Sequence, residues 1–441
     1  MSRDAYDQSS IDSIVSYSKR LTGHSLQDLF PFLGDVENPR SKGDLGRLIE
    51  RHFFGITPSN SHIDFLEAGL ELKVTGLKRR KDGSFVAKER LVLGMINFHN
   101  LVEEDWETSY IFLKCQIMLI LFYHYAGDLP RVQQRFVLPP LLFKIAEWDE
   151  LDLKHDWEII QSKVKAGLAH ELSEGDTILL GACRKGAGGE RDLVPQPASA
   201  ELAQSRAFSF KTSYLNRIID KHQGLRDLEP SGVQLTFEER TLERFAPFLG
   251  ASVEDICSEV AFFKSGPNHK AFLSDLSRRI IGTEKKSLPE FEDNAIEMKT
   301  VRLQVNGSPR EHMSFPQFKF ETIANQMWED SELFEKVERK FLFVVFDMDT
   351  DGNLRLAKAF FWNMPYADRL EVRNVWERTK KIVKTSGTRF PKAGESAVAH
   401  VRPKADNKSD THELPDGTNF PKQCFWLNRE YIAHVIAGSG R

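Results

Sequence analysis

The chain has 441 residues, of which 41% are hydrophobic and 28% charged, and its formal net charge is −4. This length suggests two or three domains, and the slight acidic balance argues against a general polyanion binder, so any nucleic-acid surface has to be local. There is no apolar run of about eighteen residues to predict a membrane span. The polar N-terminus has no signal-peptide pattern, and the four cysteines show no metal or disulfide spacing, so a cytoplasmic setting is expected.

Helices are the first elements that the pattern predicts. Apolar spacing predicts a helix over residues 7–22 that ends at Gly23, and Ser25 then has the character of an N-cap. A second amphipathic helix is predicted over residues 43–54, with Glu50 on the flank of its apolar stripe.

Residues 62–75 come next and alternate polar and apolar side chains, as a half-buried strand does. Glu71 and Lys73 therefore share one strand face, and Asp64 precedes the strand by a short turn that can bring it beside Glu71. Two carboxylates and an ammonium group at one strand end can hold Mg²⁺ and orient a water for phosphodiester hydrolysis. Such a spacing is common, so a solvated strand face with an ion pair is the alternative that it leaves open.

The rest of this half completes an α/β pattern. Further elements are predicted in this order: a hairpin turn at Asp82-Gly83, a strand over residues 85–96, a buried strand over 117–123, a helix over 150–168, a short strand over 177–183 and a last helix that residues 208–214 open. Gly224 to Gly232 is the best candidate for a linker.

The chain beyond this linker repeats the first half. The matched residues are, in order, Gly23 and Gly250, Gly55 and Gly282, Glu71 and Glu297, Lys73 and Lys299, Trp106 and Trp328, Lys114 and Lys336, Trp157 and Trp376, Arg184 and Arg402, and Phe208 and Phe425. The offset falls steadily from 227 to 217, as small deletions after a duplication would make it fall. The sequence therefore predicts two copies of one α/β domain, residues 1–224 and 237–441, joined by a linker over 225–236.

The two copies differ at the proposed metal end. Glu290 stands at the place of Asp64, and Ser277-Arg278 stands where the first copy has Glu50. Glu297 and Lys299 survive, so residual metal binding in the second copy stays open. The second copy is also more basic, because the stretch from Arg373 to Lys404 contains nine Lys or Arg and two acids.

The residues of the first half resemble the MutH family, which contains the mismatch-repair nicking endonuclease and the Sau-type GATC-specific type II restriction enzymes, within the PD-(D/E)xK nuclease superfamily. The resemblance rests on Lys42-Gly43, Glu50, Asp64-x6-Glu71-x-Lys73, Trp106-Glu-Thr-Ser, Lys114, Asp156-Trp-Glu and Arg184-Lys185. It covers roughly residues 15–220 and, more faintly, 245–435. It implies an α/β fold of two tandem restriction-endonuclease-like mixed-sheet domains in a pseudo-dimeric arrangement.

The resemblance also implies roles for individual residues. Asp64 and Glu71 would bind Mg²⁺, Lys73 would position or activate the attacking water, and Glu50 and Lys114 would support them. DNA contacts are implied at Lys42, Arg184, Lys185, Lys211, Arg402, Lys404 and Trp426. Arg402-Pro403-Lys404 stands as in the family segment that reads GATC in the major groove, whereas the first half lacks the proline, which leaves its base contacts open. For Trp426, packing in the core and contact with DNA are equally supported interpretations.

The expected activity is Mg²⁺-dependent double-strand cleavage at GATC by a type II restriction endonuclease, with the C-terminal half binding DNA as an effector. A second DNA site in that half and a transient dimer on the palindrome stay open. Two other readings also stay open, a MutH-like mismatch-repair nickase and a non-catalytic DNA-binding protein. The duplication argues against the nickase, and the acidic cluster argues against the pure binder, because carboxylates repel phosphate unless a metal is bound.

Overall fold

The computed structural model describes residues 6–33, 44–57, 63–127, 129–145, 149–186, 190–225, 235–262, 271–282, 291, 296–407 and 409–439. By its internal contacts the chain divides into two compact units. The first unit is Met1–Leu172 with Thr177–Gln234, and the second is Ser173–Asp176 with Leu235–Arg441. The main division thus falls inside the range proposed as the linker, and most of that range lies outside the described residues.

The first unit contains two β-sheets and a separate hairpin. Its described strands are β1 (Glu71–Arg79), β2 (Phe85–Ala87), β3 (Leu91–Met95), β4 (Ile117–His124), β5 (Leu141–Lys144), β6 (Leu180–Arg184), β7 (Leu193–Gln196), β8 (Ser199–Gln204) and β9 (Arg206–Phe210). One sheet has the order β2-β1-β4-β5, the other has the order β3-β9-β6, and β7 pairs with β8. Only β1 and β4 run parallel among these pairs of described strands. The first sheet is therefore mixed, as the sequence predicts.

Helices cover these sheets. The described helices of the first unit are α1 (Ile11–Ser18), α2 (Leu26–Leu29), α3 (Asp44–Leu48), α4 (Phe98–Leu101), α5 (Tyr110–Cys115), α6 (Glu150–Lys165) and α7 (Thr212–His222). Ser25 caps α2 in a reciprocal capping box with Asp28, so the predicted N-cap is confirmed. A π-helical segment, Ile49–Phe54, continues α3 and ends at Gly55, whose φ of 70° is a left-handed conformation that glycine favours.

Two predicted elements of the first unit are wrong. The strand expected over 85–96 breaks at the charged run 88–90 into β2, which pairs with β1, and β3, which pairs with β9 in the other sheet. Of the stretch 208–214, which is expected to open the last helix, residues 208–210 instead belong to β9, because both edges of that strand are paired, with β3 and with β6. Helix α7 begins only at Thr212. Tertiary pairing decides such short apolar runs, which local spacing leaves ambiguous.

The second unit repeats these sheet orders, except that its mixed sheet has no described counterpart of β2. Its described strands are β10 (Ile296–Arg302), β11 (Met313–Phe318), β12 (Lys340–Met348), β13 (Leu354–Asn363), β14 (Ala399–Pro403), β15 (Thr411–Glu413), β16 (Asn419–Pro421) and β17 (Gln423–Leu427). The orders are β10-β12-β13, β11-β17-β14 and β15-β16, and only β10 and β12 run parallel among these described pairs. The parallel pair of each unit therefore carries the glutamate and lysine that the sequence matches between the two halves.

The described helices of the second unit are α8 (Phe237–Phe245), α9 (Val253–Glu259), α10 (Phe272–Ile281), α11 (Phe320–Asn325), α12 (Glu332–Val337), α13 (Tyr366–Lys384) and α14 (Arg429–Gly438). Helix α10 ends at Gly282, whose φ of 95° is left-handed like that of Gly55. No described helix of either unit combines the length and the apolar content that crossing a membrane requires.

Candidate active site

The start of β1 is fixed by packing on one of its faces. Leu72 packs with Leu119 and Leu121 of β4 in a buried core, to which Leu45 of α3 and Ile49 of the π-helical segment also belong. Because side chains alternate along a strand, this core leaves Glu71 and Lys73 together on the opposite face, as predicted.

Asp64 lies beside this face because the chain folds back just before β1. The backbones of Phe65 and Leu70 pair with each other across a tight loop. The Oδ2 atom of Asp64 accepts a hydrogen bond from the backbone N–H of Leu72 at 2.8 Å. The predicted return of Asp64 to the strand is confirmed.

Glu71 is the centre of the cluster and is only 2% exposed. Its Oε1 accepts hydrogen bonds from Nζ of Lys73 at 2.6 Å and from Nζ of Lys114 at 3.1 Å. Its Oε2 is buried and has no hydrogen-bond partner among the described residues. A buried carboxylate oxygen without a partner is costly, so this atom is suited to receive a ligand. The Nζ of Lys73 also faces the carbonyl oxygen of Leu93 on β3, at 3.4 Å.

Lys114 reaches Glu71 because the segment before α5 is firmly seated. Ser109 caps α5, accepting from the N–H of Phe112 at 3.2 Å and donating its Oγ hydrogen to the carbonyl of Trp106 at 2.7 Å. The ring of Trp106 packs against that of Trp157 on α6, with centroids 5.8 Å apart. The Trp-Glu-Thr-Ser motif thus positions α5 and, with it, Lys114.

Tyr110 is a site residue that the sequence analysis missed. Its ring lies under Lys114, with Nζ 5.4 Å from the centroid. Gly94 on β3 makes room for that ring, since a Cβ there would lie 2.7 Å from Tyr110 Cε1. The spacing of four residues between Tyr110 and Lys114 on one helix is the signal that could have found it.

Negative charge accumulates at this end of β1. Burial and then the neighbouring Glu71 carboxylate raise the pKa of Asp64 to about 7, and Glu50 adds to the rise. Burial and Glu71 also raise the pKa of Glu50, which the π-helical segment holds near the cluster. Burial by itself lowers the pKa of Lys114, but the carboxylate of Glu71 outweighs it, and the net direction is upward. Mutually repelling carboxylates favour a bound cation.

The donor set fits a Mg²⁺ ion that is coordinated partly by the protein and partly by the substrate. The described residues provide no group of three or more His, Cys, Asp or Glu side chains arranged as a complete metal cage. Mg²⁺ commonly uses one or two carboxylates and fills its other positions with water and substrate phosphate oxygens. The Oε2 of Glu71 and the carboxylate of Asp64 fit that pattern.

The second unit mounts a glutamate in the same frame but surrounds it differently. Oε2 of Glu297 lies 3.1 Å from Nζ of Lys299, and its Oε1 accepts from Lys336 and lies 3.5 Å from Arg339. Burial by itself raises the pKa of Glu297, but Lys299 and Lys336 outweigh it, and the net direction is downward. Glu290, the expected counterpart of Asp64, lies outside the described residues.

Two further positions distinguish the units. The residue opposite the shared glutamate in the parallel strand is Met118 in the first unit and Phe341 in the second. Two residues earlier stand Gln116 and Arg339, so the arginine is an added cation. The helix residue five positions before the terminal glycine is Glu50 in the first unit, whereas in the second it is Ser277, which is fully buried and donates to the carbonyl of Leu273.

The predicted DNA contacts of the first unit have different environments. Arg184 is exposed at the end of β6, and Lys185 follows it half-buried. Lys211 is 6% exposed, and its Nζ donates to the carbonyl of Thr177 at 2.6 Å, which argues against a DNA contact there. Lys42 lies outside the described residues.

The strand register corrects one match between the halves. The N–H of Lys185 bonds to the carbonyl of Ser205, and the N–H of Lys404 bonds to that of Lys422 in the same place. Lys185 therefore corresponds to Lys404, and the residue before each lysine is Arg184 in one unit and Pro403 in the other. Sequence matching had paired Arg184 with Arg402, which is wrong by one residue. Successive strand residues face opposite sides, so a shift of one reverses the face.

Arg402 therefore has no arginine counterpart in the first unit, where Cys183 takes its place and is buried. In the second unit Arg402 is exposed and lies over the ring of Trp426, 5.0 Å from its centroid. Nζ of Lys404 lies 5.9 Å from the same centroid and donates to Ser314 Oγ at 3.0 Å. Trp426 is half-buried on the face opposite the core residue Phe425. The three side chains form one basic and aromatic surface.

Comparisons with known proteins agree with this picture. The family model of the DNA mismatch repair enzyme MutH matches residues 54–156 and again residues 281–374. The type II restriction enzyme Sau3AI of Staphylococcus aureus is 31% identical over 96% of this chain and 98% of its own length. The DNA mismatch repair proteins MutH of Shewanella woodyi and of Escherichia coli K12 are 27% and 24% identical, over 49% and 48% of this chain and 93% and 92% of theirs.

Proposed function

Because this chain belongs to the family of MutH and the restriction enzyme Sau3AI, a family of site-specific deoxyribonucleases, we propose that it is a type II restriction endonuclease that cuts both strands of DNA at GATC with Mg²⁺. The observation that carries the proposal is the buried Glu71, which is held by two lysines and flanked by Asp64. In the proposal the first unit contains the cutting centre.

Asp64 and Glu71 would hold the metal ion, which supplies Lewis acidity toward the phosphate and lowers the pKa of a bound water. Hydrolysis joins the water oxygen to phosphorus and breaks one bond from phosphorus to a sugar oxygen. The ammonium of Lys73 is hydrogen-bonded to Oε1 of Glu71 and would orient the water and stabilise charge on the phosphorane. Lys114 would hold Glu71 in place, and Glu50 would add negative charge that favours the metal.

We further propose that the chain contains two tandem MutH-like domains, of which the second binds DNA as an effector. The repeated sheet orders and the two stretches that match the family model support the duplication. The cations around Glu297 and the surface of Arg402, Lys404 and Trp426 support a binding role for the second domain. Arginine and lysine suit guanine edges, and a flat ring suits base contacts.

The nickase alternative rests on the MutH relatives. They match about half of this chain, whereas the restriction enzyme matches nearly all of it. A chain that carries its own second DNA-binding domain favours restriction. Since GATC is a palindrome, one cutting centre per chain needs either two chains on one site or two successive cuts.

Incubation with plasmid DNA and Mg²⁺, with and without adenine methylation at GATC, tests the proposal. A restriction endonuclease gives double-strand fragments that share four-base ends. Open circles alone would favour the nickase, and intact plasmid under all conditions would favour a non-catalytic binder. The dependence of the cutting rate on protein concentration separates paired chains from successive cuts.

A further inference from the structure

A group of cations surrounds Glu297 at the start of β10. We call Lys299, Lys336 and Arg339 the cation cluster. All three side chains contact the carboxylate of Glu297, yet each keeps between 22% and 28% of its surface exposed. The cluster is therefore ordered by the protein but remains accessible to a ligand from solvent.

Among the described residues, its charge is opposite to that of the equivalent place in the first unit. There, Glu71 receives two lysines and faces the further carboxylates of Asp64 and Glu50. Here, within the described part of the chain, one glutamate receives three cations, and the added one is Arg339, where the first unit has Gln116. Arg339 also pairs with Glu335, but that side chain is 64% exposed, and exposed pairs contribute little. One place suits a divalent cation, and the other suits an anion.

The cluster also has donors to spare. A lysine ammonium has three N–H donors and an arginine guanidinium has five, whereas one carboxylate has about four acceptor positions. The non-bridging oxygens of a phosphodiester accept such donors and gain charge-assisted hydrogen bonds. The frame places the cluster where the first unit holds its proposed phosphodiester site, on the same face of the parallel strand pair.

We propose that the cation cluster binds one DNA phosphodiester group directly, without a metal ion. The inference rests on the proposed DNA-binding role of the second domain. In the first unit a metal would mediate between carboxylates and phosphate, whereas in the second unit the cations of the protein take over that contact. The altered centre is thus a phosphate-binding site that cannot cut.

The affinity of the full chain for a GATC duplex in EDTA, measured at several salt concentrations, tests this. Loss of one protein cation that contacts a phosphate reduces the magnitude of the slope of log affinity against log salt by about one. Arg339→Gln, which installs the residue of the first unit, should lower that slope by about one and weaken binding about fivefold at 0.1 M salt. The matched control is Arg355→Gln on β13, whose arginine is also paired, with Asp349 at 3.2 Å, and which should behave as wild type.

Glu297→Gln gives a test of opposite sign. It removes the competing acceptor and keeps the cations, so it should strengthen binding in EDTA about threefold. A wild-type affinity and slope for Arg339→Gln, or weaker binding by Glu297→Gln in EDTA, would overturn the proposal. If the melting curve of Arg339→Gln shows loss of fold, Lys336→Met takes its place with the same expectation.

The same variants separate this proposal from the proposed function. With Mg²⁺ and saturating protein, wild type and the control Arg355→Gln should cut plasmid at the same rate. If wild type does not cut but Arg339→Gln shows the reduced slope in EDTA, the endonuclease proposal is rejected and the phosphate-binding site is retained. If wild type cuts but Arg339→Gln has an unchanged slope, the phosphate-binding site is rejected and the endonuclease proposal is retained.

Discussion

Ser109 in the first unit and Ser331 in the second make the same pair of hydrogen bonds. Each accepts from an N–H three residues later, and each donates at 2.7 Å to the carbonyl of a tryptophan three residues earlier. Those tryptophans pack on the tryptophan of the long helix at nearly equal distances, 5.8 Å and 5.6 Å. The frame that holds the lysine beside the glutamate is therefore common to both units.

The side chains inside the frame are not common. Around Glu71 the carboxylates repel one another, and the pKa of Asp64 rises to about 7, whereas around Glu297 the cations lower the pKa of the glutamate. A few substitutions thus change which ion the place suits, while the fold stays the same. One fold can therefore support different chemistry, which depends on the charges of individual residues.

The largest effect is expected from removing the lysine at the proposed cutting centre. Lys73→Ala should lower single-turnover cleavage at saturating protein by about 10³-fold, because charge on the phosphorane loses its partner. DNA binding should change by less than about threefold. Lys299→Ala, the matched change in the second unit, should leave the saturated rate unchanged. Retained cutting by Lys73→Ala would show that Lys73 is not part of the cutting centre.

A smaller effect is expected at the basic and aromatic surface. Arg402→Ala should weaken binding to a GATC duplex by about 1–3 kcal/mol, because it removes the proposed base contact and the contact with the ring of Trp426. Arg184→Ala, at the place of Pro403, should cost less. Equilibrium titration of labelled duplex measures both. An equal loss for the two variants would mean that the register shift between the units has no functional consequence.

The raised pKa of Asp64 should make both the use of Mg²⁺ and the stability of the protein depend on pH. A proton on Asp64 competes with the metal, so the Mg²⁺ concentration for half-maximal cutting should rise about tenfold from pH 8 to pH 6. The raised pKa also means that folded protein without metal holds a proton that the unfolded chain releases. The contribution of Asp64 to stability should therefore fall as the pH rises from about 4 to 7.

Asp64→Asn should remove that fall in stability. Its melting temperature in EDTA should exceed that of wild type at pH 8, and the gain should shrink at pH 5. The amide oxygen of Asn can still accept from Leu72, so the loop is retained. A gain of the same size at both pH values would contradict the raised pKa of Asp64.

The smallest effect is expected at Tyr110. Tyr110→Phe keeps the ring under Lys114 but removes the hydroxyl, so cutting should slow only about twofold to fivefold. Gly94→Ala would push that ring away and should slow cutting more, because a Cβ would collide with it. Single-turnover rates decide the order, and a larger loss for Tyr110→Phe would show that the hydroxyl has a direct role.

The sequence predicted much of this arrangement because alternation along β1 and a short turn before it are local features. Asp64, Glu71 and Lys73 therefore come together as expected. The contacts of Arg339 and the burial of Lys211 depend on partners far along the chain, so spacing could not predict them. The split of residues 85–96 between two sheets depends on tertiary pairing in the same way.

In the proposed mechanism one unit cuts DNA and the other only holds it. Its most direct test compares Glu71→Gln with Glu297→Gln in the full chain, on plasmid containing GATC with Mg²⁺ and saturating protein. We predict that Glu71→Gln binds the plasmid and leaves it intact, while Glu297→Gln cuts it at the wild-type rate. Loss of cutting by Glu297→Gln with binding preserved, or normal cutting by Glu71→Gln, would contradict the claim.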